Sequence, residues 1–67
     1  MEYMFGDVLS CSEREMMIRL GFRELCCYQT EVDGKLIEVY TFLIGVDRVN
    51  ELSRIEARVF LRNTLAF

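Results

Sequence analysis

Residues 23–44 decide the fold, and they read RELCCYQTEVDGKLIEVYTFLI. Two segments rich in β-branched and aromatic residues, 23–32 and 35–44, flank the dipeptide Asp33-Gly34. Asp-Gly is favoured where a two-residue hairpin turn requires positive φ at both positions. The stretch therefore predicts an antiparallel β-hairpin in which Val32 faces Lys35 and each residue i faces residue 67 − i.

The two faces of this hairpin change in polarity along its length. Near the turn, one face is polar and the other apolar, whereas near the base both faces are apolar. An antiparallel sheet can leave one face in water, but an apolar base predicts a covering layer on both sides. A competing interpretation makes residues 22–29 a second helix, because short apolar runs do not separate helix from strand.

Helix signals stand on both sides of the hairpin. The first helix is predicted over residues 12–20, with Ser12 as its N-cap and Glu15 completing a capping box. The second is predicted over about residues 48–63, with Asp47 as its N-cap and apolar residues at helical spacing behind it.

The expected fold is a single α+β domain over residues 1–67, built as helix, antiparallel β-hairpin and helix. Residues 2–5 form a short apolar segment before Gly6-Asp7 interrupts it, and they add either a strand to the sheet or an N-terminal arm. Two helices on one face of the sheet would leave the other face for a second copy or a different protein.

The amount of apolar side chain indicates a binding function. Apolar residues make up 52% of only 67 residues, and a domain this small buries only about 60% of the surface that its unfolded chain exposes. The excess predicts an exposed apolar patch, which usually marks a binding site. We therefore expect a small protein–protein interaction module, either a homodimer or a regulatory inhibitor or adaptor of a larger protein.

The predicted interface joins the base of the hairpin to the end of the chain. Aromatic side chains there would supply the buried anchors that are typical of interface hot spots. The residues assigned to it are Leu25, Cys27, Tyr40, Phe42, Leu61, Leu65 and Phe67.

An alternative function rests on three arginines. Arg54, Arg58 and Arg62 recur every four residues, so on a helix they would form one ridge. Guanidinium groups suit both phosphates and acidic partners, which makes a nucleic-acid-binding regulator the alternative to protein association. A solvated helix face explains the same spacing without any ligand.

Neither catalysis nor a cofactor is predicted. The chain has no histidine to activate Cys26 or Cys27 as a nucleophile, and no dinucleotide-binding, P-loop, CxxC or HExxH pattern occurs. A structural zinc site normally takes four Cys and His ligands, whereas this chain offers three cysteines, so no metal is expected.

The expected location is the cytoplasm. Three cysteines make an odd count that does not suit a disulfide framework. No basic stretch opens a signal peptide, and the longest apolar run, residues 39–46, is far shorter than the roughly 20 residues of a membrane helix. In size the chain is similar to small regulatory proteins, some of them phage-encoded, that bind and block a larger target, although no motif carries this resemblance.

Overall fold

A four-stranded antiparallel sheet organises the protein, and two helices pack on one of its faces. The computed structural model describes residues 2–63. The strand order is β2-β3-β1-β4. The elements are β1 Tyr3–Val8, α1 Cys11–Arg19, β2 Arg23–Val32, β3 Lys35–Gly45, a 3₁₀ helix Val46–Arg54, and β4 Phe60–Asn63. The predicted mixture of helix and antiparallel sheet is confirmed, but the predicted order of helix, hairpin and helix is not.

The hairpin of β2 and β3 follows the prediction closely. Asp33 has φ 52° and Gly34 has φ 79°, the two positive values of a type I′ turn. The register runs from Val32 opposite Lys35 to Cys26 opposite Thr41, as the turn predicts. The competing helix over residues 22–29 is therefore wrong.

A β-bulge interrupts the hairpin near its base. Between Cys26 and Glu24 the register shifts by one residue, so that Glu24 lies opposite Phe42 and Leu25 is the extra residue. A bulge bends the strand and increases its twist. The sequence analysis did not include this shift, and the predicted pairing is wrong for residues 23–25.

The first strand does not stop at Gly6-Asp7, as the sequence analysis expected. β1 continues through both residues to Val8 and pairs along its whole length with β3. Gly6 is needed because of close packing rather than a turn. A Cβ at this position would lie 2.8 Å from Val59 Cγ1 and would also collide with Ile44 Cδ1.

The N-cap of helix α1 lies two residues before the predicted one. Ser10, not Ser12, is the N-cap, and its Oγ accepts a hydrogen bond from the Glu13 amide at 3.2 Å. The same hydroxyl donates to Glu13 Oε1 at 2.8 Å. In a capping box the acid accepts instead from the backbone amide of the N-cap residue, so the serine half of the predicted motif is present, two residues earlier than predicted, and the acid half is not.

The long final helix over residues 48–63 is wrong. A 3₁₀ helix ends at Arg54, and residues 60–63 form β4 instead. β4 pairs with the outer edge of β1, from Asp7 opposite Phe60 to Met4 opposite Asn63. The backbone groups of β1 thereby gain partners that a continuous helix would not have supplied. This tertiary pairing outweighs the local helical pattern.

The hydrophobic core lies between the sheet and the two helices. Its buried centre consists of Val8, Met17, Phe22, Tyr40, Phe42 and Ile44. Leu20, Val49, Leu52, Ile55 and Val59 pack around this centre from the helices and from the segment that leads to β4. Both helices therefore cover the same face of the sheet.

Candidate protein-interaction surface

The opposite face of the sheet has no covering helix among residues 2–63. Side chains alternate between faces along a strand, so the observed register identifies which residues share this side. We call it the open face. Its residues are Tyr3, Phe5, Asp7, Arg23, Cys26, Tyr28, Thr30, Val32, Lys35, Ile37, Val39, Thr41, Leu43, Phe60 and Arg62.

A polar network lies near the middle of the open face. Arg62 on β4 forms two hydrogen bonds with Asp7 on β1, from Nε to Oδ2 at 2.8 Å and from NH2 to Oδ1 at 3.0 Å. Thr41 on β3 donates its hydroxyl to the same carboxylate at 2.8 Å. Asp7 is 8% exposed and Thr41 is 3% exposed. The Asp7 carboxylate on β1 thus accepts hydrogen bonds from both β3 and β4 and joins the three strands.

The charges of this network neutralise each other. The hydrogen bond with Asp7 raises the pKa of the Arg62 guanidinium, against the opposing effect of its partial burial. The guanidinium also lies over the ring of Phe5, with its carbon 5.2 Å from the ring centre. The network therefore offers a paired acid and base rather than a free charge for chemistry.

Exposed apolar side chains lie on the edge strands of the open face. Tyr28, Val32 and Phe60 are 43%, 47% and 45% exposed. Across the hairpin, Tyr28 lies opposite Val39, which is buried. A typical protein interface has an apolar centre and a polar rim, and this side of the sheet has the reverse arrangement. The exposed apolar side chains, rather than the polar centre, therefore favour an interaction site here.

Two of the predicted interface residues lie elsewhere. Phe42 is fully buried and Tyr40 is 7% exposed, and both belong to the core under α1. The expectation that these side chains form an exposed surface at the base of the hairpin is wrong. Because both faces of the base are apolar, the sequence did not indicate which face the helices cover.

The other predicted interface residues are scattered. Leu25, at the bulge, is 42% exposed, and Cys27 is exposed on the edge strand. Leu61 is 40% exposed in β4, at the far side of the sheet. Leu65 and Phe67 lie outside the described residues. The structure thus does not bring Leu25 and Leu61 together.

The buried tyrosine takes part in a second polar cluster, at the edge of the covered face. The Tyr40 hydroxyl donates to Glu38 Oε2 at 2.6 Å and lies 3.2 Å from Cys11 Sγ. The hydrogen bonds to Cys11 and Glu38 raise the pKa of Tyr40 above its ordinary value. The phenol therefore stays protonated near neutral pH.

An ion pair lies beside this tyrosine. Arg14 donates to both carboxylate oxygens of Glu24, at 2.5 and 2.9 Å, and its guanidinium lies 5.5 Å from the centre of the Tyr40 ring. This contact lowers the pKa of Glu24 and raises that of Arg14. The pair connects α1 to β2 and leaves neither charge free.

Cys27 lies opposite Tyr40 on the neighbouring strand. Partial desolvation of its sulfur, followed by the charges of Glu38 and Glu24, raises the pKa of this thiol. All three cysteines carry free thiols. A raised pKa reduces the thiolate fraction, and the thiolate is the reactive form.

The arginine ridge is not present as predicted. Arg54 ends the 3₁₀ helix, Arg58 lies in the segment before β4, and Arg62 lies in β4, bound to Asp7. The backbone amide of Arg58 donates to Glu13 Oε2 at 2.5 Å. The expectation of one helical ridge is wrong, because the helix that would align the three residues ends at the first of them.

Asp7 and Thr41 were not among the predicted site residues, and Arg62 was expected to bind phosphate or an acidic partner. Asp7 follows Gly6, and this pair reads as a break in a strand. Only the pairing of β1 with both β3 and β4 places the carboxylate beside its partners. No local signal in the sequence indicates this network.

Comparison of the chain with protein-family models, with curated proteins and with solved structures returns no match. Within residues 2–63, neither helix combines the length and the apolar character that a bilayer span requires. In the same range, no three Cys, Asp or Glu side chains come together as a set of metal ligands.

Proposed function

We propose that the protein works by protein–protein association, as a homodimer or as a regulatory inhibitor or adaptor that binds a larger protein. The open face is the observation that carries this proposal. On this face Tyr28, Val32 and Phe60 are each more than two-fifths exposed to water, although their side chains are largely apolar. Exposed apolar surface of this kind typically marks an interaction site on a small protein.

The alternative as a nucleic-acid-binding regulator has lost the geometry that suggested it. Arg62 is occupied by Asp7, and the three arginines lie on different segments. The overall charge of −3 also opposes phosphate binding. We therefore do not propose it.

Light scattering after size exclusion, over a wide range of concentrations, tests the proposal. We expect a dimer that dissociates on dilution, because the association depends on a limited apolar area. Tyr28→Ser should weaken it, whereas Phe60→Ser, on the opposite edge strand β4, should weaken it only if the dimer buries the whole open face. Leu36→Ser is the matched control, since Leu36 is 72% exposed near the hairpin turn but points to the other side of the sheet. A monomer at every concentration contradicts self-association.

A further inference from the structure

Strand β2 is an edge strand whose outward backbone groups lack a strand partner among residues 2–63. In the order β2-β3-β1-β4 it has a neighbour on one side only. Residues that flank a two-residue turn form a hydrogen-bonded pair, and such pairs alternate along an antiparallel ladder. Because Val32 pairs with Lys35, the amides and carbonyls of Glu31, Gln29 and Cys27 point away from β3.

This edge lacks most of the devices that prevent further pairing. Natural edge strands are usually short, or they contain proline or lysine, or they are bulged. β2 is ten residues long and contains neither proline nor lysine, and its bulge lies near one end. Residues 26–32 are thus a regular and exposed template for another strand.

We propose that a second copy of this chain pairs its own β2 with this β2, antiparallel and about a two-fold axis. The inference deepens the proposed function and rests on it. When β2 pairs antiparallel with β2 of a second copy, the same residues of each copy form the interface, as the two-fold symmetry of a closed dimer requires. It joins the two four-stranded sheets into one sheet of eight strands, and the two open faces lie on the same side of it.

The outward groups restrict the register. Because the free amides belong to residues 27, 29 and 31, only registers that set these residues opposite one another form hydrogen bonds. With Tyr28 on the two-fold axis, Cys27 lies opposite Gln29 of the second copy. The two Tyr28 rings, each 43% exposed in the single chain, then contact each other on the open face.

Charge favours this register. With Tyr28 on the axis, Arg23 at the start of each strand lies near Asp33 in the turn of the other copy. With Gln29 on the axis instead, Arg23 would extend past the turn of the other copy and lose this partner, because the chain reverses at Asp33-Gly34 and Lys35 lies on β3. We therefore infer that Tyr28 marks the centre of the dimer.

Single-cysteine variants test both the edge and the register. In a chain with Cys11→Ser, Cys26→Ser and Cys27→Ser, we introduce Tyr28→Cys, Gln29→Cys or Leu36→Cys, one at a time. After mild oxidation, Tyr28→Cys should give a covalent dimer on a non-reducing gel, and the other two variants should stay monomeric. Equal cross-linking at all three positions, or none at position 28, would overturn the proposed register.

A proline substitution tests the edge without relying on a disulfide. The Gln29 amide points outward, so Gln29→Pro leaves the hydrogen bonds of the hairpin intact while removing a donor from the edge. It should raise the dimer dissociation constant by about tenfold or more, with an unchanged circular dichroism spectrum. Leu36→Pro is the control, because its amide points away from β2 and lies beyond the reach of β1.

The outcomes separate the two proposals. If the wild-type chain dimerises, but Gln29→Pro dimerises equally well and Tyr28→Cys does not cross-link, the edge proposal is wrong and self-association stands. If the wild-type chain is a monomer at every concentration, the edge proposal and self-association are both wrong, and only binding to a larger protein is left of the proposed function. Loss of the dimer in Gln29→Pro but not in Leu36→Pro supports the edge.

Discussion

Arg62 and Asp7 form a two-pronged ion pair that ties the last described strand to the first. The side chain of Asp7 is 11% exposed, whereas that of Arg62 is 49% exposed. The carboxylate therefore depends on protein partners, while the guanidinium keeps part of its water. Replacing Arg62 and replacing Asp7 should therefore change the free energy of unfolding by different amounts.

Arg62→Ala should lower the free energy of unfolding by about 1–3 kcal/mol, because it leaves a buried carboxylate with one fewer donor pair. Urea unfolding measures the change. Arg58→Ala is the matched control and should alter stability by less than about 0.5 kcal/mol, since the Arg58 side chain is exposed. In an Asp7→Asn background the cost of Arg62→Ala should shrink. An equal cost in both backgrounds would show that the ion pair is not the cause.

Gly6→Ala should destabilise the fold by about 1–3 kcal/mol, because the added methyl overfills a packed core. The new Cβ meets Ile44 Cδ1 and Val59 Cγ1. Ile44→Val removes the first of these atoms and alone costs about 0.5–1.5 kcal/mol. Thermal or urea unfolding of the double-mutant cycle should show that Ile44→Val costs less when Ala is at position 6. Strict additivity of the two changes would rule out the collision.

The stability of the protein should fall in acid partly through Glu24. Arg14 lowers the folded-state pKa of this carboxyl below its unfolded value. The ion pair therefore contributes stability above the unfolded value of about 4.3, and this contribution is lost as pH falls through the lower folded value. The slope of unfolding free energy against pH in this acid range should be smaller in Glu24→Gln. Arg14→Met should reduce the slope in the same way, and an unchanged slope in both variants would contradict the assignment.

Cys27 should react slowly with iodoacetamide. Desolvation and the neighbouring carboxylates raise the pKa of its thiol, so at a pH of about 8 less thiolate is present than in a free cysteine peptide. In a chain with Cys11→Ser and Cys26→Ser, Glu38→Gln should increase the alkylation rate by removing one of these charges. Glu31→Gln, four positions from Cys27 along β2, is the control and should leave the rate unchanged. Alkylation as fast as that of the free peptide would be inconsistent with the raised pKa.

The hairpin was predictable because its information is local. Asp33-Gly34 specifies a turn with two positive φ values, and such a turn fixes the register of the strands next to it. The prediction holds as far as Cys26 and fails at Leu25, where the bulge shifts the pairing. Nothing in the residue types at 24–26 distinguishes a bulge from a regular strand.

The covered face was not predictable, because the base of the hairpin is apolar on both sides. The sequence analysis assigned Tyr40 and Phe42 to an interface, and the helices cover them instead. The surface that remains for a partner is therefore the side with Tyr28 and Val32. A choice between two apolar faces depends on how distant segments return to the sheet, and patterns within one segment do not contain that information.

The final helix was mispredicted for a related reason. Val49, Leu52, Ile55 and Val59 have helical spacing, and all four do pack against the core. The chain nevertheless leaves the 3₁₀ helix after Arg54 and supplies β4 to the free edge of β1. Phe60 was expected on the same side of the helix, but it is 45% exposed in β4, opposite Asp7. Apolar spacing thus predicted four of the packed side chains, but neither this exception nor the backbone that carries them.

The central position of β1 sets the order in which the protein can fold. Phe5 pairs with Leu43 and with Arg62, which are 38 and 57 positions later in the chain. Closing such long loops costs entropy before any contact compensates for it, and topologies of this kind fold slowly for their size. The inner edge of β1 can pair with β3 before β4 is available, whereas its outer edge stays unpaired until β4 arrives. We therefore expect the hairpin to assemble early, β1 to add to β3 next, and β4 to join last.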